Sequence, residues 1–352
     1  MTRLEHTRAR IGTVDRGAAE RAQRLLDAKT KPRRSLGRLE DLACIVAAIR
    51  GATDIPAPTK AIVVMAADHG VAEEGVSAYP QEVTRQMLAN FAHGGAAINV
   101  LARQAGARIV VADVGVKEPL PHTSGIRVHR LGLGTCNFTR GPAMTREQAV
   151  AGLELGIAIA EELADDGVTL LGIGDMGIGN TTASSALTCA LMGVAPEEVT
   201  GHGTGIDDEG WERKVQAIRR GLAVNRPHRG DALDVLAKLG GFEIAGLAGV
   251  VLGGAARCVP LVLDGFIATI AALLAVRIAP PARDYLIASH RSVEVGHGRI
   301  LDALGLRPLL DLDLRLGEGT GAALAMGLID ASVRLLREMA TFESAGVTDS
   351  GA

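Results

Sequence analysis

Two carboxylates set among glycines give this chain its chemical character. Asp175 lies in Gly174-Asp-Met-Gly-Ile-Gly-Asn-Thr-Thr182, directly after the apolar run Val168 to Ile173, and Glu318 lies in Arg315-Leu-Gly-Glu-Gly-Thr-Gly-Ala322. Gly174, Gly177 and Gly179 let the backbone approach an anion closely, and Asn180, Thr181 and Thr182 are good N-cap residues for a helix running to Met192. The stretch reads as a strand feeding an anion cradle, although a glycine-rich turn with no ligand has the same letters. It matches neither G-x-G-x-x-G nor a lysine-bearing Walker loop, so neither a dinucleotide nor a triphosphate is implied. Glu318, between Gly317 and Gly319, has few neighbours to solvate it and is a candidate general base. A bare Gly-Glu-Gly equally suits a helix start, where the charge complements the dipole.

Other polar groups cluster less tightly. Asp68-His69 follows an apolar run, but no G-x-S-x-G elbow and no second histidine at ligand spacing accompany it, so it reads as a structural or substrate-orienting pair. The segment Glu73 to Met87 carries Ser77, Tyr79 and Gln86, one of only two tyrosines among them. It could close over a flat ligand or serve as an ordinary connection. Gly201-His-Gly-Thr-Gly-Ile-Asp-Asp-Glu-Gly210 is a second glycine-rich turn, and the amphipathic helix after it presents Arg213 and Lys214, which default to solvent unless a phosphate draws them in. The basic Lys31-Pro-Arg-Arg-Ser-Leu-Gly-Arg-Leu-Glu40 reads as a solvated loop.

The scaffold follows from composition and pattern. A chain of 352 residues, 47% hydrophobic, with 44 glycines and 2% aromatics, suits close-packed α/β layers better than a β-sandwich. A net charge of -3 gives no electrostatic case for nucleic acid or an anionic membrane. Cys44, Cys136, Cys189 and Cys258 lack CxxC spacing and read as reduced core residues, which suits the cytoplasm, and the N-terminus lacks the apolar centre of a signal peptide. Helical spacing covers Val14 to Ala28 and Leu36 to Ile49, and the Pro-rich Ile55-Pro-Ala-Pro-Thr59 marks a boundary. From Lys60, apolar strands (61–67, 108–114, 168–173) alternate with helical stretches (83–104, 145–164), the pattern of a parallel sheet covered on both faces with ligands beyond the strands' carboxyl ends. Helices over 244–259 and 266–276 enclose a strand at 261–263, and further strands are expected near 285–290 and 309–314. The expected fold class is α/β: a Rossmann-like parallel sheet flanked by helices over 57–318, with a smaller helical domain from 1–56 joined by the C-terminal helix 319–340.

Six motifs in order resemble one family. Lys31-Pro-x-x-Ser-Leu-Gly-x-Leu-Glu40, Ala67-Asp-His-Gly-Val71, Gly75-Val-Ser-x-Tyr-Pro80, Gly174 to Thr182, Ser289-His-x-Ser-x-Glu294 and Leu314 to Ala322 look like the nicotinate-nucleotide:dimethylbenzimidazole phosphoribosyltransferases, the CobT family of cobalamin biosynthesis. The resemblance implies a pentosyltransferase that makes α-ribazole 5′-phosphate and nicotinate from nicotinate mononucleotide and 5,6-dimethylbenzimidazole, with no metal and no cofactor. It implies catalytic roles for Glu318, as general base, and Asp175. It implies substrate contacts from Gly177, Gly179, Asn180, Thr181, Lys214, Ser292 and Gly317, with Ser77, Tyr79 and Gln86 lining the benzimidazole pocket. Asp175 stands where the family pattern has Glu, one methylene shorter. A homodimer in the cytoplasm is the implied form, with no nucleic acid or membrane partner. Transfer to another benzimidazole, a purine or a phenol is the nearest alternative. A non-catalytic nucleotide-binding regulator is the next; it would tolerate Glu318→Gln.

Overall fold

Alternate residues of one central strand enter two different cores, and that division sets the layers. The computed structural model describes residues 1–118, 120, 125–203 and 205–348. It runs α1 (Arg3–Arg10), α2 (Arg16–Asp27), α3 (Arg38–Arg50), β1 (Lys60–Ala67), α4 (Glu82–His93), α5 (Ala97–Ala105), β2 (Ala107–Gly115) and β3 (Ile126–Val128). There follow α6 (Arg146–Asp165), β4 (Leu170–Met176), α7 (Asn180–Met192), α8 (Asp208–Asn225), α9 (Ala232–Leu239), α10 (Phe242–Ala256), β5 (Leu261–Leu263) and α11 (Phe266–Ile278). The chain then passes through β6 (Leu286–Ala288), β7 (His290–Arg291), α12 (Val295–Leu304), β8 (Leu310–Asp311) and α13 (Thr320–Glu338). Ala61, Val63, Met65 and Ala67 of β1 pack with α6, α10 and α11, whereas Ile62, Val64 and Ala66 pack with α3, α5 and α13. The period of two along β1 therefore glues a helical layer to each face.

The six-stranded sheet is parallel throughout, in the order β3-β2-β1-β4-β5-β6. The chain winds outward in one direction from β1 and in the other from β4, so the crevice of a doubly wound sheet opens between the carboxyl ends of these two neighbours. Asp68 follows β1 and Asp175 lies near the end of β4.

Several local expectations change. The stretch 83–104 is two helices, because Gly94 takes φ +76 and ends α4 as a left-handed cap before α5 restarts. The expected strand at 309–314 pairs only over Leu310–Asp311, with His290–Arg291. The basic segment 31–40 is not simply solvated, because its two ends are buried against each other. Lys31 Nζ meets Glu40 Oε1 at 2.9 Å with both side chains nearly inaccessible, and Glu40 also accepts from the Leu36 amide at 3.0 Å. Lys29 Nζ donates to Met339 O at 2.5 Å, pinning the end of α2 to the end of α13. Of the four free cysteines only Cys189 is in the core; Cys136 and Cys258 lie exposed outside helices and strands, Cys258 with φ +52. No helix among the described residues is long and apolar enough to cross a membrane.

Candidate active site

The two glycine turns meet backbone to backbone. A side chain at Gly174 would overlap the Gly319 amide and the Glu318 carbonyl carbon, so a residue without Cβ is what lets the turn before α13 lie against β4. The Glu318 amide donates to Asp175 O at 3.1 Å. Glu318 takes φ +63, a left-handed conformation that costs a non-glycine residue about 1–2 kcal/mol. Its carboxylate, 4% exposed, accepts from the Ile98 amide in the first turn of α5 at 3.3 Å. Burial raises its pKa above the ordinary glutamate value, and the Ile98 amide opposes that.

Asp175 and Asp264 lie close by. Asp175 Oδ2 accepts from Asn180 Nδ2 at 2.8 Å while Oδ1 has no partner among the described residues. Burial raises the Asp175 pKa well above the ordinary value, and the neighbouring carboxylates Asp264, Glu243 and Glu318 push the same way. Asp264, one residue past β5, accepts from the amides of Gly319 at 2.9 Å and Gly321 at 2.7 Å, capping α13. Burial pushes it up to about 7 against those amide bonds. Asp264 carried no motif, yet it occupies the position Asp68 holds after β1, an aspartate at the carboxyl end of a parallel strand.

At the crevice a cleft of about 650 Å³, part of it open to solvent, is lined by Asp175, Gly177, Asn180, Thr181, Ser292 and Gly317 from the expected set, together with Phe266, Ile267, His290, Glu294 and Arg315. Gly179, with φ +96, is the N-cap of α7, and His69 Cβ lies under it. Lys214 is not solvated: it is 1% exposed, and Nζ reaches Thr181 Oγ1 at 3.2 Å and Gly201 O at 3.3 Å. No carboxylate among the described residues is within ion-pair distance of it; burial lowers its pKa, and the nearby Glu294 carboxylate opposes that shift. A buried ammonium held by neutral oxygens beside a helix N-terminus makes an electropositive corner, tempered by Glu294. Arg315 Nη1 donates to Gly203 O at 3.1 Å, closing the second glycine turn over the same corner; Thr204 of that turn lies outside the described residues.

Comparison with known proteins decides the family. A family profile described as Phosphoribosyltransferase matches residues 11–347. The nicotinate-nucleotide–dimethylbenzimidazole phosphoribosyltransferase of Geobacter sp. strain M21 is 53% identical over 99% of this chain and all of its own length. The protein of the same name from Roseiflexus castenholzii is 55% identical over 99% of both chains. The crystal structure of the Thermus thermophilus enzyme superposes with a TM-score of 0.90 at 51% identity, covering 96% of this chain and 100% of that one. A second crystal structure from the same organism, described as CobT, gives 0.91 at 52% identity, with 95% and 100% covered. The chain belongs to the nicotinate-nucleotide–dimethylbenzimidazole phosphoribosyltransferase family.

Of the other expected residues of this phosphoribosyltransferase, Gly179, Lys214 and Glu318 lie next to residues of the cleft without lining it, and Ser77, Tyr79 and Gln86 lie outside it. Ser77 Oγ accepts from the Tyr79 amide at 3.2 Å, Tyr79 is 53% exposed, and Gln86 faces outward on α4. None of the three lines the cleft. Nearer to it, Thr84 Oγ1 accepts from the Ile178 amide at 3.2 Å and Gln81 Nε2 donates to His69 O at 2.7 Å. Asp68 and His69 do not form a dyad: Asp68 Oδ2 accepts from the Lys117 amide at 2.8 Å, while His69 Nε2 lies 2.7 Å from Glu243 Oε1 in full burial.

Proposed function

We propose that the protein transfers the 5-phosphoribosyl group of nicotinate mononucleotide to 5,6-dimethylbenzimidazole, giving α-ribazole 5′-phosphate and nicotinate for the lower nucleotide loop of cobalamin. The observation that carries this reading is Lys214, a buried cation held by neutral oxygens, with Glu294 the one carboxylate that acts on it and no direct ion pair among the described residues, beside the Gly177–Asn180 turn and the start of α7. A monophosphate supplies the missing charge, with Thr181, Asn180 and Ser292 as further donors. The apolar wall of Phe266 and Ile267 suits a heteroaromatic ring.

Nicotinate in the mononucleotide is a pyridinium, so the C1′–N bond breaks with its electron pair moving to the ring nitrogen, and no acid is needed. The imine-type nitrogen of the benzimidazole forms the new bond to C1′ from the opposite face, inverting β to α. The proton on its other nitrogen passes to Glu318, whose raised pKa brings it closer to the optimum for a base near neutrality. Asp175, whose pKa burial and the neighbouring carboxylates raise, keeps Oδ1 free to meet the ribosyl group. Ser77, Tyr79 and Gln86 complete the base pocket when the 73–87 segment closes, and Gly179 and Gly317 allow the phosphate and sugar to approach the backbone.

The working form is a homodimer in the cytoplasm. Exposed Val293, Val295, Leu312 and Leu316, in segments that also line the cleft, support the dimer; four free cysteines support a reducing compartment. Helices α2, α3 and α13 act as the small domain beside the α/β unit. The test is incubation of purified protein with nicotinate mononucleotide and dimethylbenzimidazole, followed by detection of nicotinate and an α-linked riboside. Failure to release nicotinate with any base overturns the assignment.

A further inference from the structure

His290 lines the cleft and is 2% exposed. Its two ring nitrogens can be told apart by following the hydroxyl beside it. Ser289 Oγ lies 3.1 Å from the Asp264 carbonyl oxygen, which only accepts, so the single hydroxyl proton is committed there. The same Oγ lies 3.0 Å from His290 Nδ1 and must therefore accept, which places a proton on Nδ1. An Asp264 carboxyl oxygen 3.8 Å from that nitrogen favours the same tautomer. Burial pushes the imidazole down to about 4, so the ring is neutral at physiological pH and Nε2 carries a bare lone pair. No donor among the described residues meets that lone pair. It lies towards Gly265 at the cleft wall, where an added Cβ would stand 3.6 Å from Nε2 and 3.9 Å from Ser292 Cβ.

A second histidine fixes this wall. His297 Nε2 is 2.9 Å from Thr269 Oγ1, whose own proton goes to Gly265 O at 2.7 Å. His297 therefore donates from Nε2 and accepts the Ser292 amide at Nδ1, 2.9 Å away. One relay thus ties Gly265 to Ser292 and holds the surroundings of His290 in a single arrangement.

We infer that His290 Nε2 accepts a hydrogen bond from a ribosyl hydroxyl, 2′ or 3′, and so sets the rotation of the sugar about the line from the phosphate cradle to C1′. This rests on the phosphoribosyl-transfer reading and adds a contact to it. The cradle donors Lys214, Thr181, Asn180 and Ser292 suit a phosphate, whereas a ribosyl hydroxyl needs an acceptor, and the cleft offers His290 Nε2 beside the carboxylates Asp175 and Glu294. A neutral acceptor of fixed tautomer meets that need and is cheaper to desolvate than a carboxylate.

The test is a substrate-by-variant cycle with nicotinate mononucleotide and its 2′-deoxy and 3′-deoxy analogues, reading kcat/KM. Wild-type protein should lose about tenfold with one of the two analogues, the value of one buried neutral hydrogen bond. His290→Asn keeps a donor near Nδ1 for Ser289 but has no acceptor at Nε2, so it should be slow with the natural substrate and indifferent to that hydroxyl. His290→Gln, whose Oε1 reaches the Nε2 position, should recover most of the penalty. Equal penalties in wild type and His290→Asn, or His290→Gln behaving as His290→Asn, overturn the inference. Wild-type protein that releases no nicotinate from the natural substrate overturns the underlying reading and this contact together.

Discussion

The amide of Glu318 donates to the carbonyl of Asp175 at 3.1 Å, so two acid-bearing turns far apart in sequence share one backbone hydrogen bond. The position of each carboxyl group is then set by the backbone of the other. The two carboxyl groups of the proposed reaction keep their relative placement without a direct side-chain link.

Replacing the base should isolate proton transfer. Glu318→Gln should lower kcat by about a hundredfold to ten-thousandfold, with KM for nicotinate mononucleotide nearly unchanged, because the amide keeps the size but cannot take the proton. Steady-state kinetics checks this, and an unchanged kcat removes Glu318 from the chemistry.

Lys214 should trade stability for binding. Lys214→Met removes a buried charge that makes no direct ion pair and is offset only by Glu294 at longer range, so the ligand-free variant should melt at or above the wild-type temperature. Its KM for nicotinate mononucleotide should rise at least tenfold. Thermal denaturation with and without the mononucleotide separates the two effects: ligand-induced stabilisation should vanish in the variant.

Acid should unfold the protein through its buried histidines. His290 and His297 are pushed from about 6.5 down to about 4 and about 3, mainly by burial. Below pH 6.5 the unfolded chain takes up protons that the folded one refuses, so their contribution is complete above pH 6.5 and is lost as pH falls towards 4. Asp264, raised to about 7, works in the opposite sense, its contribution being present at low pH and lost as pH rises through 7. His297→Asn retains an acceptor for the Ser292 amide and should be less steep on the acid side by about 1.4 kcal/mol per pH unit. Denaturant titrations at pH 5 and pH 7 measure the difference.

Gly174→Ala should separate the two turns. The added methyl meets backbone rather than a flexible side chain, so the expected cost is about 1–3 kcal/mol, with activity falling by more than the stability loss explains. Chemical denaturation beside kcat/KM tests this, and a fully active variant contradicts the close approach.

The sheet and the glycine turn before α7 were legible because their signals are local. Apolar runs of strand length gave β1, β2, β4 and β5, and glycines with hydroxyls gave the start of α7. What stayed hidden depends on contacts between distant segments. Lys214 looks like any basic residue on an amphipathic helix, and only the packing of α8 against α7 buries it. Asp264 carries no flanking motif, because its partners are amides of α13, more than fifty residues on. Lys31 pairs with Glu40 across a turn whose composition alone suggests solvent. Tyr79 and Gln86, chosen by resemblance, are exposed and do not line the cleft.

The packing of Gly319 against Gly174 also bears on biosynthesis of the protein itself. A nascent chain that has released everything up to α12 from the ribosome still lacks the turn that completes the pocket. Nucleotide meets a complete pocket only after α13 has been made and packed, because a chain cut before Gly317 lacks part of the cleft lining.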